Sequence, residues 1–213
     1  GAFPANLDLA SLNGTTGLRL DGATPGELSG LTVGGIGDVN GDGFQDIAVG
    51  ARSAHANGRF LSGASYVVFG AAGGFAPSID LAALDGSDGL RLTGVAAFDQ
   101  SGYAVGGAGD VNADGFDDFL IGAIGADPNG SDSGTTYLVF GRANGFPASL
   151  DLATLDGSNG LRLEGVTTFD RSRSAVAAAG DVNGDGFDDL LVGAPSANGS
   201  GATYLLFGRD FTA

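Results

Sequence analysis

The sequence predicts an all-β protein built from a threefold repeat, and three observations support this prediction. A nine-residue acidic segment recurs as DVNGDGFQD at 38–46, DVNADGFDD at 110–118 and DVNGDGFDD at 181–189. The copies start 72 and 71 residues apart, and such spacing indicates an array of similar supersecondary units. Short apolar runs bounded by glycine follow each copy, which is typical of β-strands. Forty-one glycines among 213 residues favour many tight turns over long helices.

The repeat divides a single repeat domain, 1–213, into units at 3–74, 75–145 and 146–213. Each unit opens on a related linker: FPANLDLASL, FAPSIDLAAL or FPASLDLATL. A proline near the start and an Asn-Gly or Asp-Gly pair soon afterwards predict a loop with at most a short turn or strand inside.

Four strand candidates are expected per unit. One is GLRL, in which alternation predicts a strand with one solvated face. Its arginines, Arg19, Arg91 and Arg162, are expected to balance local acids on that face rather than to form an anion-binding ring. A glycine- and alanine-rich strand precedes each acidic segment, and such a strand suits a place where backbones approach closely. An apolar strand follows the segment, and an aromatic strand follows that: ASYVVFG, TTYLVFG or ATYLLFG.

The acidic segments have the oxygen spacing of a calcium-binding loop. Side-chain oxygens fall at positions 1, 3, 5 and 9, and glycine at position 6 permits a turn that could aim the carbonyl of position 7 inward. Calcium is a hard cation that prefers oxygen ligands in a flexible geometry. The predicted sets, one Ca²⁺ each and three per chain, are Asp38, Asn40, Asp42, Phe44 and Asp46; Asp110, Asn112, Asp114, Phe116 and Asp118; and Asp181, Asn183, Asp185, Phe187 and Asp189.

Two other interpretations of the acidic segments account for fewer of their residues. Plain Asp/Asn/Gly turns would explain the glycines, but a turn does not need mutually repelling carboxylates at alternate positions three times over. An EF-hand-like loop would place an acid at position 12 and continue into a helix, whereas Val49, Ile121 and Val192 stand there, in runs that resemble strands.

Composition limits the possible partners and setting. The formal net charge is −16, and the loop positions supply nine of the 25 acidic residues. We therefore expect no nucleic-acid partner, and the absence of a long apolar run predicts no membrane insertion. Without cysteine, stability must come from burial, repeat stacking and ions. Since free calcium is abundant outside cells, an extracellular, periplasmic or cell-surface location is expected. Gly1 and the lack of methionine suggest a processed or excised chain.

These residues resemble the FG-GAP repeats of integrin α-subunit β-propellers and their bacterial relatives. The resemblance rests on the DxNxDGxxD loops and the trailing VGA, IGA and VGAP, and covers essentially the full length. Ser29, Ser101 and Ser172 replace the family's Phe of the Phe-Gly pair, and Pro195 is the one proline kept from its Gly-Ala-Pro. The resemblance implies four-stranded propeller blades, with calcium between the first and second strands of a blade.

Three repeats fall short of a closed propeller, which typically needs at least four blades. The outer strand of one blade is expected near Leu18 to Leu20, and the last blade is expected to stop at its third strand, Tyr204 to Phe207. We therefore expect a second chain to complete a six-bladed ring, as a C2 homodimer that exchanges terminal strands. The alternative is an excised or engineered half of a larger propeller.

Three function classes remain. The first is a calcium-stabilised, non-catalytic scaffold for binding or adhesion, in which a protein or carbohydrate ligand meets the variable loops 52–62, 124–134 and 195–201. The second is a structural or engineered half-propeller without a natural ligand. The third, an enzyme, has little support, because the chain offers one histidine, His55, and neither cysteine nor lysine. Arg171 and Arg173 could contact an acidic ligand or a neighbouring subunit, or simply pair with Asp170.

Overall fold

The computed structural model describes residues 5–169 and 175–211, and it confirms the all-β prediction. Short 3-10 turns occupy Leu9–Ser11, Ala56–Gly58, Leu81–Ala83, Leu152–Thr154 and Ala197–Gly199. Within the described residues no helix has the length and apolar character needed to cross a membrane. The strands are β1 Arg19–Asp21, β2 Thr32–Gly37, β3 Asp46–Ala51, β4 Ala64–Val68, β5 Ser78–Asp80, β6 Gly89–Thr93, β7 Ser101–Gly109, β8 Asp118–Ala123, β9 Thr135–Val139, β10 Ser149–Asp151, β11 Gly160–Glu164, β12 Ala175–Gly180, β13 Asp189–Ala194 and β14 Ala202–Leu206.

The strands form consecutive propeller blades. Blade 1 is the antiparallel series β2, β3, β4 and β6, and blade 2 is β7, β8, β9 and β11. The fourth strand of each therefore comes from the sequence repeat that follows. Blade 3 contains β12, β13 and β14. Outside the blades, β5 and β10 pair in parallel with β1 and β6, so each linker runs beside a GLRL strand.

Glycines on the inner strands let neighbouring blades approach backbone to backbone. A Cβ atom added at Gly34 would lie 3.2 Å from the carbonyl oxygen of Val105, and one at Gly106 would lie 3.0 Å from that of Val176. The small-residue strands therefore sit where a larger side chain would push two blades apart, as the sequence predicted.

Each blade has two apolar faces. Two of the buried clusters lie between blades, and a third packs Val49, Tyr66 and Val68 of blade 1 against the β1 and β5 segments. We call the face toward the preceding blade the leading face and the face toward the following blade the trailing face. The trailing face of blade 1 packs on the leading face of blade 2, where Ile36, Val67 and Phe69 join Phe119 and Ile121 in one buried cluster. A second buried cluster joins the trailing face of blade 2 to the leading face of blade 3. Burial of these faces is the main source of stability.

The predicted solvated arginine face holds for Arg19 and Arg162, which are exposed, and fails for Arg91. Arg19 is exposed and forms an ion pair with Asp21, with 2.7 Å between Nε and Oδ1. Arg91 is half-buried, and its guanidinium lies 5.9 Å from the centroid of the Tyr66 ring. The difference arises because β6 is enclosed between β4 and β10, a tertiary contact that strand alternation cannot reveal.

Candidate metal centre

The three acidic loops connect the first strand of a blade to the second, between β2 and β3, β7 and β8, and β12 and β13. This is the position that the family resemblance implied. Each is bounded by a β-bulge, because the pairing shifts between Gly35 and Gly37 and between the equivalent residues of the other blades. The bulge turns the chain out of the sheet and into the loop.

The aspartate at position 1 closes each loop by accepting backbone hydrogen bonds. In the first loop, Asp38 Oδ1 accepts from the N–H groups of Gly41 and Asp42 at 2.8 and 3.0 Å, and Oδ2 accepts from Gly43 at 2.8 Å. Asn40 Oδ1 accepts from the Asp42 N–H at 3.0 Å. Asp110 and Asp181 bind the N–H groups of their loops in the same way. The alternate spacing thus gathers oxygens around one tight turn.

The aspartate at position 9 has a different environment, because it is fully buried in every copy. Asp46 Oδ2 accepts from the Val39 N–H at 2.9 Å, and Oδ1 accepts from the Gly70 N–H at 2.8 Å. Asp118 and Asp189 accept the equivalent bonds. This side chain therefore ties the loop to the end of the third strand.

The electrostatics favour a cation in these loops. Burial, assisted by the charges of Asp42 and Asp38, raises the pKa of Asp46 to about 6. Burial likewise raises the pKa of Asp118 to about 8. The ion pairs found within the described residues, Arg19 with Asp21 and Arg59 with Asp151, lie elsewhere. The loop carboxylates thus have no side-chain counter-ion in that part of the chain, and a bound cation would supply one.

The predicted ligands fit calcium in chemistry more clearly than in arrangement. All the side chains offered are carboxylates or amides, which are the hard oxygen donors that calcium takes. In the described ranges, however, no three acidic or imidazole side chains are grouped as they would be around a metal ion. The oxygens at positions 1, 3 and 5 face backbone N–H groups of the loop, and those of position 9 face Val39 and Gly70 or their equivalents. The full ligand sets, including the carbonyls of Phe44, Phe116 and Phe187, remain a prediction.

The structure adds residues at position 8 that the sequence interpretation did not use. Asp117 Oδ2 accepts from the Asp38 N–H of the preceding loop at 2.8 Å, and the Asp117 N–H donates to the Asp38 carbonyl at 3.2 Å. Asp188 makes the same pair of bonds to Asp110, at 3.1 Å each. We call this arrangement the loop clasp. The Asp-Asp ending of the second and third loops, against Gln45-Asp46 in the first, was the available signal.

A second polar centre, also missed, lies at the opposite end of blade 1. Glu27 is buried and accepts from the Ala23 N–H at 2.6 Å, from the Thr24 and Ser29 hydroxyls at 2.8 and 2.6 Å, and from the Tyr66 hydroxyl at 3.1 Å. Burial acts to raise the pKa of Glu27, but the hydrogen bonds from Ser29, Thr24 and Ala23 outweigh it and lower the pKa below its usual value. This site fixes the entry into the blade.

The contacts of His55, the histidine that the sequence offers, are those of a structural residue. His55 Nδ1 accepts from the Leu61 N–H at 2.9 Å, and the imidazole stacks on Phe60 with 4.6 Å between ring centroids. Phe60 meets Phe98 edge to face at 5.4 Å, and the two rings are 55% and 57% exposed. Arg171 and Arg173 lie outside the described residues.

Comparison with known proteins agrees with this architecture. The FG-GAP repeat family matches residues 30–68 and 173–206. Bovine phosphatidylinositol-glycan-specific phospholipase D is 33% identical over 168 residues, covering 77% of this chain and 18% of that protein. Human integrin alpha-8 is 34% identical over 112 residues, covering 50% of this chain and 10% of that protein. Chicken integrin alpha-6 is 32% identical over 162 residues, covering 75% and 13%.

The chain spans less than a fifth of the length of these relatives. The likeness therefore concerns the repeats and not the whole of any relative. FG-GAP repeats of integrins bind calcium, and the integrin-like FG-GAP domain is non-catalytic. With the matched segments falling on β2 to β4 and on β12 to β14, this chain contains FG-GAP repeats, and its strands form integrin-like β-propeller blades.

Proposed function

We propose that this protein is a calcium-stabilised, non-catalytic scaffold for binding or adhesion that works outside the cell. The observation that carries the proposal is that each acidic loop joins the first two strands of a blade and is buried at one end through Asp46, Asp118 or Asp189. A calcium ion held there would offset two of the negative charges of the loop and constrain the blade at the same time.

The residues that would hold the ion are the side chains at positions 1, 3, 5 and 9 and the carbonyl at position 7. When bound, calcium would supply two positive charges to a loop whose predicted ligand set includes three carboxylates. Asp46 then favours its ionised form, because a nearby cation lowers a carboxyl pKa that burial has raised. Its bonds to Val39 and Gly70 would pass the constraint on to β4.

Exposed aromatic residues support a ligand-binding surface at the end of the blades opposite the acidic loops. The loop between β3 and β4 and the turn between β6 and β7 meet there, and their Phe60 and Phe98 rings form an exposed pair beside His55. Both phenylalanines are more than half exposed, and Phe98 adopts a left-handed backbone, φ 70°, which is uncommon for a bulky side chain. Exposed aromatic rings suit contact with a protein or the apolar face of a sugar.

Calcium binding can be tested directly. Isothermal titration of the chelator-treated protein should give three sites per chain, and the melting temperature should rise with calcium concentration. At a free concentration 1,000 times Kd, each site would add about 4 kcal/mol to the free energy of unfolding. Asp42→Asn, Asp114→Asn and Asp185→Asn should each remove one site, whereas Gln45→Ala, in the same loop as Asp42, should keep all three. Unchanged melting with and without calcium would refute the proposal.

Binding to a ligand is tested separately, on arrays of glycans and extracellular proteins. A ligand of the aromatic end should lose most of its affinity on Phe60→Ala, while Phe44→Ala, at the acidic-loop end, should leave it unchanged. Binding that is insensitive to Phe60 would place the ligand elsewhere and reject this surface.

A further inference from the structure

The acidic loops of neighbouring blades are joined to each other by hydrogen bonds. We number them loop 1, loop 2 and loop 3, for residues 38–46, 110–118 and 181–189. The loop clasp is the first connection. Asp117 of loop 2 bonds to both backbone groups of Asp38 in loop 1, and Asp188 of loop 3 bonds to both backbone groups of Asp110 in loop 2.

The clasp connects predicted calcium ligands on its two sides. Asp117 lies between Phe116 and Asp118, which are positions 7 and 9 of loop 2. Its partner Asp38 is position 1 of loop 1, and the N–H and carbonyl that the clasp holds flank the Cα atom that carries the ligand carboxylate. A shift in the ligands of loop 2 is therefore passed to the first ligand of loop 1.

A second hydrogen-bonded route runs through the end of the third strand of the following blade. The Gly141 N–H donates to Asp118 Oδ1 at 2.8 Å. The next N–H, that of Arg142, donates to the Val39 carbonyl of loop 1 at 2.9 Å. The Val39 N–H in turn donates to Asp46 Oδ2 at 2.9 Å. The buried aspartates at position 9 of loops 1 and 2 thus lie on one chain of hydrogen bonds.

The same route joins loops 2 and 3. The Gly208 N–H donates to Asp189 Oδ1 at 2.9 Å, and the Arg209 N–H donates to the Val111 carbonyl at 2.9 Å. The Val111 N–H donates to Asp118 Oδ2 at 3.1 Å, so Asp118 belongs to both routes. Val111 and Asp118 are fully buried, which strengthens these bonds by excluding water. The three loops are therefore linked in series, with loop 2 in the centre.

Packing reinforces the connection between loops 1 and 2. A Cβ atom added at Gly41, position 4 of loop 1, would overlap the Phe116 ring of loop 2. One added at Gly37, just before loop 1, would overlap the Asp117 carboxylate. Glycine at these two positions lets loop 2 lie directly against the backbone of loop 1.

Calcium binding requires the loops to rearrange. In the described ranges, acidic and imidazole side chains are not grouped as they would be around a metal ion. The Asp38 carboxylate accepts from N–H groups of its own loop, and the Asp46 carboxylate accepts from Val39 and Gly70. These carboxylates must come together when calcium binds. Since the clasp and the second route connect the loops, the rearrangement of one loop moves the groups that hold its neighbour.

We infer, on the basis of the calcium binding proposed above, that the three loops bind calcium with positive cooperativity and that Asp117 and Asp188 are the residues that position one loop for the next. When loop 2 is occupied, Phe116 and Asp118 are fixed, and Asp117 between them holds the Asp38 backbone in place. Loop 1 then has less to order when it binds, and its affinity rises. Neither Asp117 nor Asp188 is a predicted ligand, so their role is positioning.

Charge repulsion between occupied loops acts in the opposite direction. Occupancy of loop 2 makes the surroundings of loop 1 more positive, so charge alone predicts that disabling loop 2 strengthens binding in loop 1. The clasp predicts that disabling loop 2 weakens it. Salt shortens the range of the charge effect, from a Debye length of about 8 Å at 0.15 M to about 3 Å at 1 M. The sign of the coupling therefore separates the two effects.

The coupling can be measured loop by loop in a 15N NMR titration with calcium. The N–H groups of Gly43, Gly115 and Gly186 each donate to the position-1 aspartate of their loop and report its occupancy. Asp114→Asn disables loop 2. We define the coupling ratio as the calcium concentration that half-saturates Gly43 in Asp114→Asn divided by that in the unsubstituted protein. A ratio of about 5 or more is expected at 0.15 M salt, and it should rise at 1 M salt.

Clasp variants test whether Asp117 carries the coupling. Asp117→Ala, introduced into both proteins, removes the acceptor and should lower the ratio at Gly43 at least twofold, with the second route remaining. Asp117→Asn removes the same charge but keeps an acceptor oxygen, so the ratio should be retained. Asp188→Ala breaks the other clasp, and should lower the corresponding ratio at Gly186 while leaving that at Gly43 unchanged. The dispersion of each spectrum checks that the fold is kept.

The outcomes distinguish the coupling from calcium binding itself. A ratio of 1 or less at 0.15 M salt, with every loop binding in the unsubstituted protein, would overturn the coupling and leave the proposed calcium binding intact. A ratio above 1 that Asp117→Ala does not lower would reject the clasp as its carrier. If calcium shifted none of the three glycine resonances, the calcium proposal would fail and the coupling with it.

Discussion

Blades 2 and 3 have closely similar sequences but different surroundings, and the comparison shows what determines burial in this fold. The aromatic strands TTYLV and ATYLL differ at two positions, yet every residue of β9 is buried while β14 alternates between half-buried and exposed. Blade 2 has a neighbour on each face, whereas the structure places one on the leading face of blade 3 alone. Contact with neighbouring blades, rather than strand sequence, therefore decides burial.

The largest expected difference between blades 2 and 3 is in the cost of truncating an equivalent leucine in each. Leu138→Ala removes a side chain that is 0% exposed and should cost about 2–5 kcal/mol of unfolding free energy. Leu205→Ala, at the equivalent position and 42% exposed, should cost about 1 kcal/mol or less in dilute protein. Urea unfolding measures both. Equal costs would show that Leu205 is covered within one chain.

The loop clasp offers a second contrast. Asp117 joins blade 2 to blade 1 and Asp188 joins blade 3 to blade 2, whereas Gln45 of blade 1 makes no such bond among the described residues. Asp188→Ala leaves the Asp110 N–H without its acceptor and should cost about 1–3 kcal/mol. Asp188→Asn keeps an acceptor oxygen and should cost less.

The matched control is Gln45→Ala, at an exposed position of the first loop, which should change the free energy of unfolding by about 0.5 kcal/mol or less. Hydrogen exchange at Asp110 should accelerate in Asp188→Ala. Unchanged exchange there would show that the clasp contributes nothing to the junction.

Glu27 is buried at the entry into blade 1, and its effect on stability should depend on pH. Because hydrogen bonds lower the pKa of Glu27 in the folded protein, its contribution to stability is fully present above its unfolded pKa, near 4.3, and is lost as pH falls through the folded pKa. Glu27→Gln should therefore cost about 1–3 kcal/mol at pH 7 and progressively less below pH 4.

Glu164→Gln, at an exposed position on β11, serves as the control and should show little effect at either pH. A cost of Glu27→Gln that stays constant from pH 7 to pH 3 would contradict the ionised assignment.

The smallest expected effect lies in the second acidic loop. Ala113 occupies a left-handed backbone conformation, φ 56°, where the other two loops have Gly41 and Gly184 at φ 73° and 78°. Ala113→Gly should stabilise the protein by about 0.5–1 kcal/mol, because an L-residue is strained there. Gly184→Ala should lose a similar amount, and thermal melting in calcium measures both. Destabilisation by Ala113→Gly would show that the loop relaxes around its Cβ.

Some features followed from sequence because they depend on local chemistry. The glycine-bounded apolar runs predicted the strands, and the positions of Asp38, Asn40 and Asp42 predicted a loop in which their oxygens share one turn. The location of Asp46 could be predicted, but its burial could not, because its partner Gly70 lies 24 residues away. The clasp was missed for the same reason, since Asp117 and Asp38 are 79 residues apart and meet only when two blades pack.

The amino-acid sequence by itself determined the β-rich fold, the threefold repeat and the spacing of oxygens in each loop, because turn chemistry and strand alternation act over a few residues. The tertiary structure alone decided which copies of a residue are buried, which carboxylates hold a neighbouring blade and which faces stay open. Those properties depend on contacts between repeats, and nearly identical repeat sequences do not record whether another blade lies beside them.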